Sequence, residues 1–513
     1  MPCWIFRGQT LGVCAAILWV TIMINKSVQP SSNHKSYALP AVLPDEHLEV
    51  VSGWGESTRG MSYVYRPSTL EALAKVFEIA AQSGRSMAMR GGGNSYGDAF
   101  MNNENIVLDV RRMNRVLEWN PENGRIRVEP GLSLHELWQY VIEDGWWPPV
   151  VTGTSKTTIG GCAGMNVHGK NAWRKGTIGE HILEFDLMLP SGEIITCSPT
   201  ENSDIFHAAI GGMGLLGCFT SLTLKMTRIY SGFLQVHTQA QADLSSMFDY
   251  FHAYVDESDY IVGWMDAFAH GRALGRGDVH RAYYLPEGDD PNPSQSLRLD
   301  NQHVPENLMG IVPKSIMWLG MRPFMNNAGT QLINMAKYYA GHVGGGKVYL
   351  QTHAAFHFLL DYVPHWKKAY GPGGLIQYQP FIPKENAQNA FADILRVSQH
   401  FDQPNYLTVF KRHRPDSFLL SHALDGFSMA MDFRVTSGNQ SKLLKLTREL
   451  DEIVLAANGR FYFAKDSTVR PEVAEAYLGK EAINQFRALK TRCDPHNMLQ
   501  NNLWRRVFGN EPI

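Results

Sequence analysis

Cysteine is scarce in this sequence and never closely paired: the six (Cys3, Cys14, Cys162, Cys197, Cys218 and Cys493) include no CxxC. That usage argues against a disulfide framework and against a structural zinc site, and no metal is expected. Charge of one sign is also missing. Forty-seven lysines and arginines face 49 acidic residues, for a net charge of -2 and a pI near 6.8, so nothing draws the chain to nucleic acid. Internal repeats and long low-complexity tracts are absent too. The N-terminal apolar run, Leu11 to Ile24, is 14 residues long, short of the ~20 that a straight membrane span needs.

That run still has a reading. Arg7 precedes it and Asn25 and Lys26 close it, the pattern of a secretory h-region. A small-x-small cleavage site does not follow closely, and Ser36-Tyr37-Ala38 comes too late. An uncleaved signal anchor is therefore expected, joined by the polar linker Gln29 to Lys35, so that residues 1–43 tether the chain to a membrane on a side the sequence does not fix.

What remains is ample for globular cores: 44% hydrophobic and 19% charged residues over 513 positions predict two domains. Ser68 and Glu71 form a capping-box signal, and Leu70, Leu73, Ala74, Phe77 and Ala81 recur at helical spacing up to Gly84. Strands are predicted at 86–89, 106–108 and 125–128, with a helix over 134–144. This β-α-β alternation runs to about Lys225. From about Ser231 aromatic-rich segments take over, with strands at 375–382, 407–410 and 427–433 and helices at 386–400 and 443–456.

Three glycine-rich stretches carry the chemistry. In the first, Met89 and Arg90 lead into Gly91-Gly92-Gly93-Asn94-Ser95-Tyr96-Gly97-Asp98-Ala99. Glycines after a strand let backbone N–H groups approach a phosphate, and Ser95 adds a hydroxyl donor. Arg90 reads equally as a phosphate partner or as half of a structural ion pair. The loop does not open a helix, so it is not a Rossmann fingerprint. The second stretch runs from Gly153 through Thr158, Ile159, Gly160 and Gly161 to Met165, Asn166, Val167, His168 and Lys170. The third is Gly211-Gly212-Met213-Gly214, with Phe219 just beyond. Alone, each is a turn.

Together and in this order, the three resemble the FAD-binding fold of the p-cresol methylhydroxylase and vanillyl-alcohol oxidase superfamily, over about residues 48 to 513. The resemblance implies an α+β fold: an FAD-binding domain of two α/β subdomains plus an inserted substrate domain with a largely antiparallel sheet and flanking helices. The corresponding boundaries are 44–230 for the FAD domain, 231–445 for the substrate domain and 446–513 for a segment returning to the first. It also implies FAD contacts from residues 89–99, Gly153, 158–161, 165–168, Phe219 and Tyr462. Members that bind flavin covalently use a histidine in the first loop; Asn94 stands there, so noncovalent FAD is expected.

Within that superfamily, His168-Gly169-Lys170-Asn171, Leu375 to Gln379, Phe410-Lys411 and Tyr462 to Ser467 resemble the oxidase subunits of decaprenylphosphoryl-β-D-ribose 2′-epimerases. Oxidation of the 2′-hydroxyl of a polyprenylphosphoryl ribose is thereby implied, with a short-chain NAD(P)-dependent reductase as partner. The implied catalytic residues are Lys465, His168 and Lys170, and the implied substrate contacts are Gln377, Gln379, Lys411, Tyr96 and Trp264. Without the resemblance, an ion pair with Asp466 is the simpler reading of Lys465. A lowered pKa at that lysine would permit base chemistry. Ala430 occupies the place of the family's reactive cysteine, and residues 231–340 match poorly. Two other readings are an aldonolactone or alditol oxidase acting on a soluble sugar, and a noncatalytic flavin-binding partner protein.

Overall fold

The apolar spacing from Leu70 onward produces helix α1 (Leu70–Ser83), which buries Leu73, Val76, Phe77 and Ala80. Its cap is Thr69, whose hydroxyl accepts from the Ala72 N–H at 3.2 Å, and not the expected Ser68. Gly84 closes the helix at φ +64°, a conformation that glycine adopts without strain. This computed structural model describes residues 42–302, 307–308 and 312–509, and the expected anchor at 11–24 lies outside them. Among the described residues no helix is long and apolar enough to cross a membrane.

Helix α1 belongs to a four-stranded sheet of β1 (Leu48–Ser52), β2 (Arg59–Tyr65), β3 (Met87–Arg90) and β4 (Ile106–Asp109), in the order β1-β2-β4-β3. Strands β2, β4 and β3 run parallel, as a βαβ connection requires. A second sheet holds the five strands β5 (Val116–Asn120), β6 (Arg125–Val128), β7 (Ile182–Met188), β8 (Ile194–Cys197) and β9 (Cys218–Lys225), in the order β5-β6-β9-β7-β8. All their pairings are antiparallel. The β-α-β alternation expected to Lys225 therefore stops after the first sheet. Helix α2 (Leu134–Val141), opened by a capping box of Ser133 and Glu136, packs beside the short strand Trp146–Trp147.

Nine further strands form one antiparallel sheet. They are β10 (Phe233–Gln241), β11 (Tyr260–Met265), β12 (Gly277–Tyr284), β13 (Val348–Thr352), β14 (Leu375–Tyr378), β15 (Pro380–Pro383), β16 (Leu407–His413), β17 (Gly426–Arg434) and β18 (Arg460–Phe461). The order is β13-β10-β12-β11-β16-β17-β15-β18, with β14 also on β17. The single strand expected over 375–382 is broken at Gln379 into β14 and β15. The two helices expected in this half are observed as Lys384–His400 and Gln440–Ala456, each starting two or three residues before the expected position. From Val42 onward the chain packs as one unit. Its C-terminal residues close back on the first sheet, where Met87 exchanges backbone hydrogen bonds with Met498 and Gln500.

Candidate active site

Each glycine stretch is held by the next. Gly92 N–H donates to the Thr158 hydroxyl at 3.3 Å, and the Asn94 amide donates to the Lys156 carbonyl at 3.2 Å. A side chain on Gly91 would collide with Thr158 Oγ1, so only glycine lets the first two stretches close up. The second and third are joined where Gly211 and Met213 donate to the carbonyls of Ala163 and Gly164, both at 2.9 Å. The first is also tied to the C-terminal motif, since Tyr96 N–H donates to Ala464 O at 2.8 Å. Four segments far apart in sequence thus make one wall.

Opposite stands the nine-stranded sheet. Strand alternation turns Leu407, Val409 and Lys411 of β16 the same way, beside Trp264 on β11, Ala430 on β17 and the Gln377–Gln379 pair. Between the two walls lies a cavity of about 540 Å³. Most residues singled out from the sequence line it: Met89 to Tyr96, Ala99, Gly153, Thr158, Gly160, Gly161, Met165, Val167, His168, Lys170, Phe219, Trp264, Gln377, Gln379, Lys411, Tyr462 and Lys465.

Four do not. Gly97 packs against the Asp466 backbone, where a side chain would clash. Asp98 is bound by Arg506 at 2.8 Å, Ile159 is fully buried in the core, and Asn166 donates to Asp416 at 2.9 Å. Their work is to brace the wall. Arg90 turns out to be ion-paired, with Asp109 at 3.2 Å, although its buried Nε is left without a partner.

Lys465 does not pair with Asp466, which is taken by Arg506 at 2.8 Å and by the N–H groups of Thr468 and Val469. Its ammonium lies 4.0 Å from the centre of the Tyr96 ring instead. Burial holds its pKa well below 10.5, partly offset by Asp432 and reinforced by Lys411. Burial likewise pushes the Asp432 carboxyl up, opposed by a hydrogen bond from Gln377 and by Lys465. Lys170, whose ammonium donates to Phe356 O, is brought down to about 7 by burial and then by Lys411; Lys411 itself is brought to about 8 by burial. The cavity therefore holds lysines that deprotonate near neutrality.

His168 is kept neutral, well below its ordinary pKa, by burial and then by Lys411 and its neighbouring histidines. Gln379 Nε2 lies 3.1 Å from both His168 Nε2 and Ser428 Oγ. With both amide hydrogens committed there, Gln379 offers the cavity an acceptor oxygen. Two further histidines, His413 and His422, surround His168 at ring distances of 4.8 and 5.5 Å. The sequence reading passed over them and Asp432. Alternation could have found two of the three: His413 lies two residues from Lys411, and Asp432 faces Gln377 in the β14–β17 register.

Comparison with known proteins places this geometry. Residues 61–198 match the family model described as an FAD binding domain. The chain is 29% identical over 462 residues to decaprenylphosphoryl-beta-D-ribose oxidase of Mycolicibacterium smegmatis, covering 89% of this chain and 96% of the relative. It is 26% identical over 196 residues to L-gulonolactone oxidase of Mus musculus, covering 38% of this chain and 43% of that one. With D-arabinono-1,4-lactone oxidase of Yarrowia lipolytica the identity is 25% over 174 residues, 33% of each. The residues present fit an FAD. Glycine backbone lines the cavity, and the buried Arg90 Nε, His168 Nδ1 and Gln377 Oε1 lack partners in residues of that lining.

Proposed function

From the premise that the chain is an FAD-dependent oxidoreductase with an FAD binding domain at 61–198, we propose that it oxidises the 2′-hydroxyl of a polyprenylphosphoryl ribose to the ketone. The observation that carries this is Lys465, brought by the C-terminal motif into the one cavity that both walls share, with its pKa lowered and Gln377, Gln379 and Lys411 on the sheet beside it.

Removing a hydride from a secondary alcohol leaves a hydroxyl proton to be taken up. Neutral Lys465 accepts that proton, and Asp432 sets how readily it does so. Gln379, oriented by His168 and Ser428, receives a hydrogen bond from a neighbouring sugar hydroxyl. Lys411 and Lys170 attract the anionic end of the substrate. FAD, when bound, supplies the hydride acceptor, and Arg90 with the glycine wall would hold it. Asn94 cannot form a covalent flavin bond, so the cofactor is released intact when the protein is denatured. Returning the ketone to an epimeric alcohol needs a second hydride donor, which makes a short-chain NAD(P)-dependent reductase the partner class. Membrane attachment through residues 11–24 suits a lipid-linked substrate.

The decisive measurement is anaerobic bleaching of the bound flavin by polyprenylphosphoryl ribose and, separately, by free alditols. Bleaching by the lipid-linked sugar is expected. Bleaching by alditols alone would replace this reading with that of a soluble-sugar oxidase.

A further inference from the structure

Helix α3 (Asn327–Val343) is built the wrong way round for a helix on a water-exposed surface. Its buried positions, Thr330, Asn334 and Tyr338, recur every four residues and form one stripe, two-thirds of it strongly polar. Asn334 donates to Asp266 at 3.2 Å, and the Tyr338 ring lies under the Arg276 guanidinium at 4.8 Å. The apolar residues Leu332, Ile333, Met335, Tyr339 and Val343 are the exposed ones. Ordinary amphipathic packing would have the reverse arrangement. The neighbouring strand β13 is an edge of the large sheet and also leaves Val348 and Leu350 more than half exposed.

These are not scattered singletons. Among the described residues, 12 of the 22 exposed large apolar side chains fall between Ile316 and Leu359, a density that marks a binding surface. The same stretch has an unusual charge. From Asn307 to Leu360 there is no aspartate or glutamate, whereas Lys314, Arg322 and Lys347 are spread along it and Lys337 turns inward over the Trp264 ring at 3.8 Å. The catalytic cavity reaches this surface, because Lys337, Tyr349, Leu359 and Leu360 line its wall.

We infer that α3 and β13 dock the protein onto an anionic lipid surface, with the cavity opening on the docked face. An apolar patch studded with cations and free of acids complements a negatively charged interface, where apolar side chains enter the acyl boundary and cations meet headgroups. A second copy of this chain would bring a like-charged patch against its own, which is unfavourable. The inference rests on the surface alone and gives the lipid-linked substrate proposed above a path: its tail stays in the bilayer while its sugar enters the cavity.

The test is hydrogen exchange on the full-length protein in three states: free, with vesicles of phosphatidylcholine, and with vesicles of phosphatidylcholine and phosphatidylglycerol. Peptides covering 317–343 and 348–352 are expected to exchange several-fold more slowly on the anionic vesicles only. Leu332→Asp combined with Met335→Asp should abolish that protection while leaving flavin reduction by a short-chain, water-soluble substrate analogue unchanged. Binding to vesicles without protection of these peptides overturns the inference. So does protection that grows with protein concentration in the absence of lipid, which would assign the face to a second copy. If protection appears but polyprenylphosphoryl ribose leaves the flavin oxidised, the substrate reading fails and the docking surface stands.

Discussion

Replacing Lys465 with alanine separates the proposed proton acceptor from the rest of the site. A positioned base contributes about 10²–10⁴-fold to a proton transfer, or about 2.7–5.4 kcal/mol of barrier at 1.36 kcal/mol per decade. The structure indicates that the loss can be read without unfolding the protein. Lys465 makes no ion pair with Asp466, its ammonium rests on the Tyr96 ring, and Asp432, whose carboxyl burial already pushes upward, can protonate once its cation is gone. Flavin content, measured by absorbance after purification, should therefore stay at the wild-type level while anaerobic flavin reduction in a stopped-flow instrument slows by about two to four decades. Lys465→Arg keeps the positive charge over Tyr96 but cannot release a proton, so it should be as slow as the alanine variant. In the wild type, reduction should fall as pH drops through the lowered Lys465 pKa, giving an acid limb well below 10.5. Restoration of the rate by arginine would refute the proton-acceptor role and leave Lys465 as a fixed cation. Unchanged reduction in the alanine variant, with flavin bound, would remove it from the mechanism.

Other perturbations follow from the same geometry. Asp432→Asn removes the group that raises the Lys465 pKa, so the acid limb of flavin reduction should move to lower pH; an upward shift would contradict the pairing. Gly91→Ala drives a methyl into Thr158 Oγ1, and titration with free FAD should show affinity weakened by about tenfold or more, ~1.4 kcal/mol, with the circular dichroism of the fold retained. Lys170 is about 7 in the folded protein against an ordinary 10.5, so the folded state binds fewer protons between those values and gains stability as pH rises through that window. Lys170→Met should accordingly raise the unfolding midpoint at pH 6 and change it little near pH 10.5, and an increase of equal size at both pH values would show a packing effect instead. Ala430→Cys should add one maleimide-reactive thiol inside the cavity, since Cys162, Cys197, Cys218 and Cys493 are all buried with their thiols pushed up, the first three to about 12. Mass spectrometry that finds no additional label would place position 430 out of reach.

Much of the wall was legible because its signal is local. Glycine runs, Thr158 and the Tyr462–Ser467 motif announce themselves by residue type, and the helix at 70–83 announces itself by spacing. What was illegible depends on long-range partners. Nothing adjacent to Lys465 reveals that Arg506, forty residues on, takes Asp466 and frees the lysine for Tyr96. Nor does the glycine loop itself show that Gly97 and Asp98 face away from the cavity, because that follows from a C-terminal segment closing on them. The β-α-β alternation failed beyond the first sheet for a related reason. Short strands separated by helices look alike in sequence whether the chain returns parallel or antiparallel, and pairing decides between them. The anion-attracting side of the cavity was half visible: Lys170 and Lys411 stood out beside resembling motifs, whereas Lys337 sits in a helix whose apolar face points outward.

Charge ties these separate pieces together. Lys170 follows the second glycine stretch, Lys411 lies on β16 and Lys465 on the C-terminal motif, yet Lys411 lowers the pKa of both of the others and of His168. Of the carboxylates, Asp432 is the one that acts back on this set, through Lys465. Enclosed cations that repel one another are costly to a fold unless an anion joins them. On the proposed reading the pyrophosphate of FAD would sit at the glycine wall, while Lys411 stands on the sheet across the cavity. On the same reading a second anionic group, carried by the substrate, would balance the sheet side. A free alditol has no such group and a polyprenylphosphoryl sugar has one, so the proposed phosphate-bearing substrate would suit these lysines better than the soluble sugar.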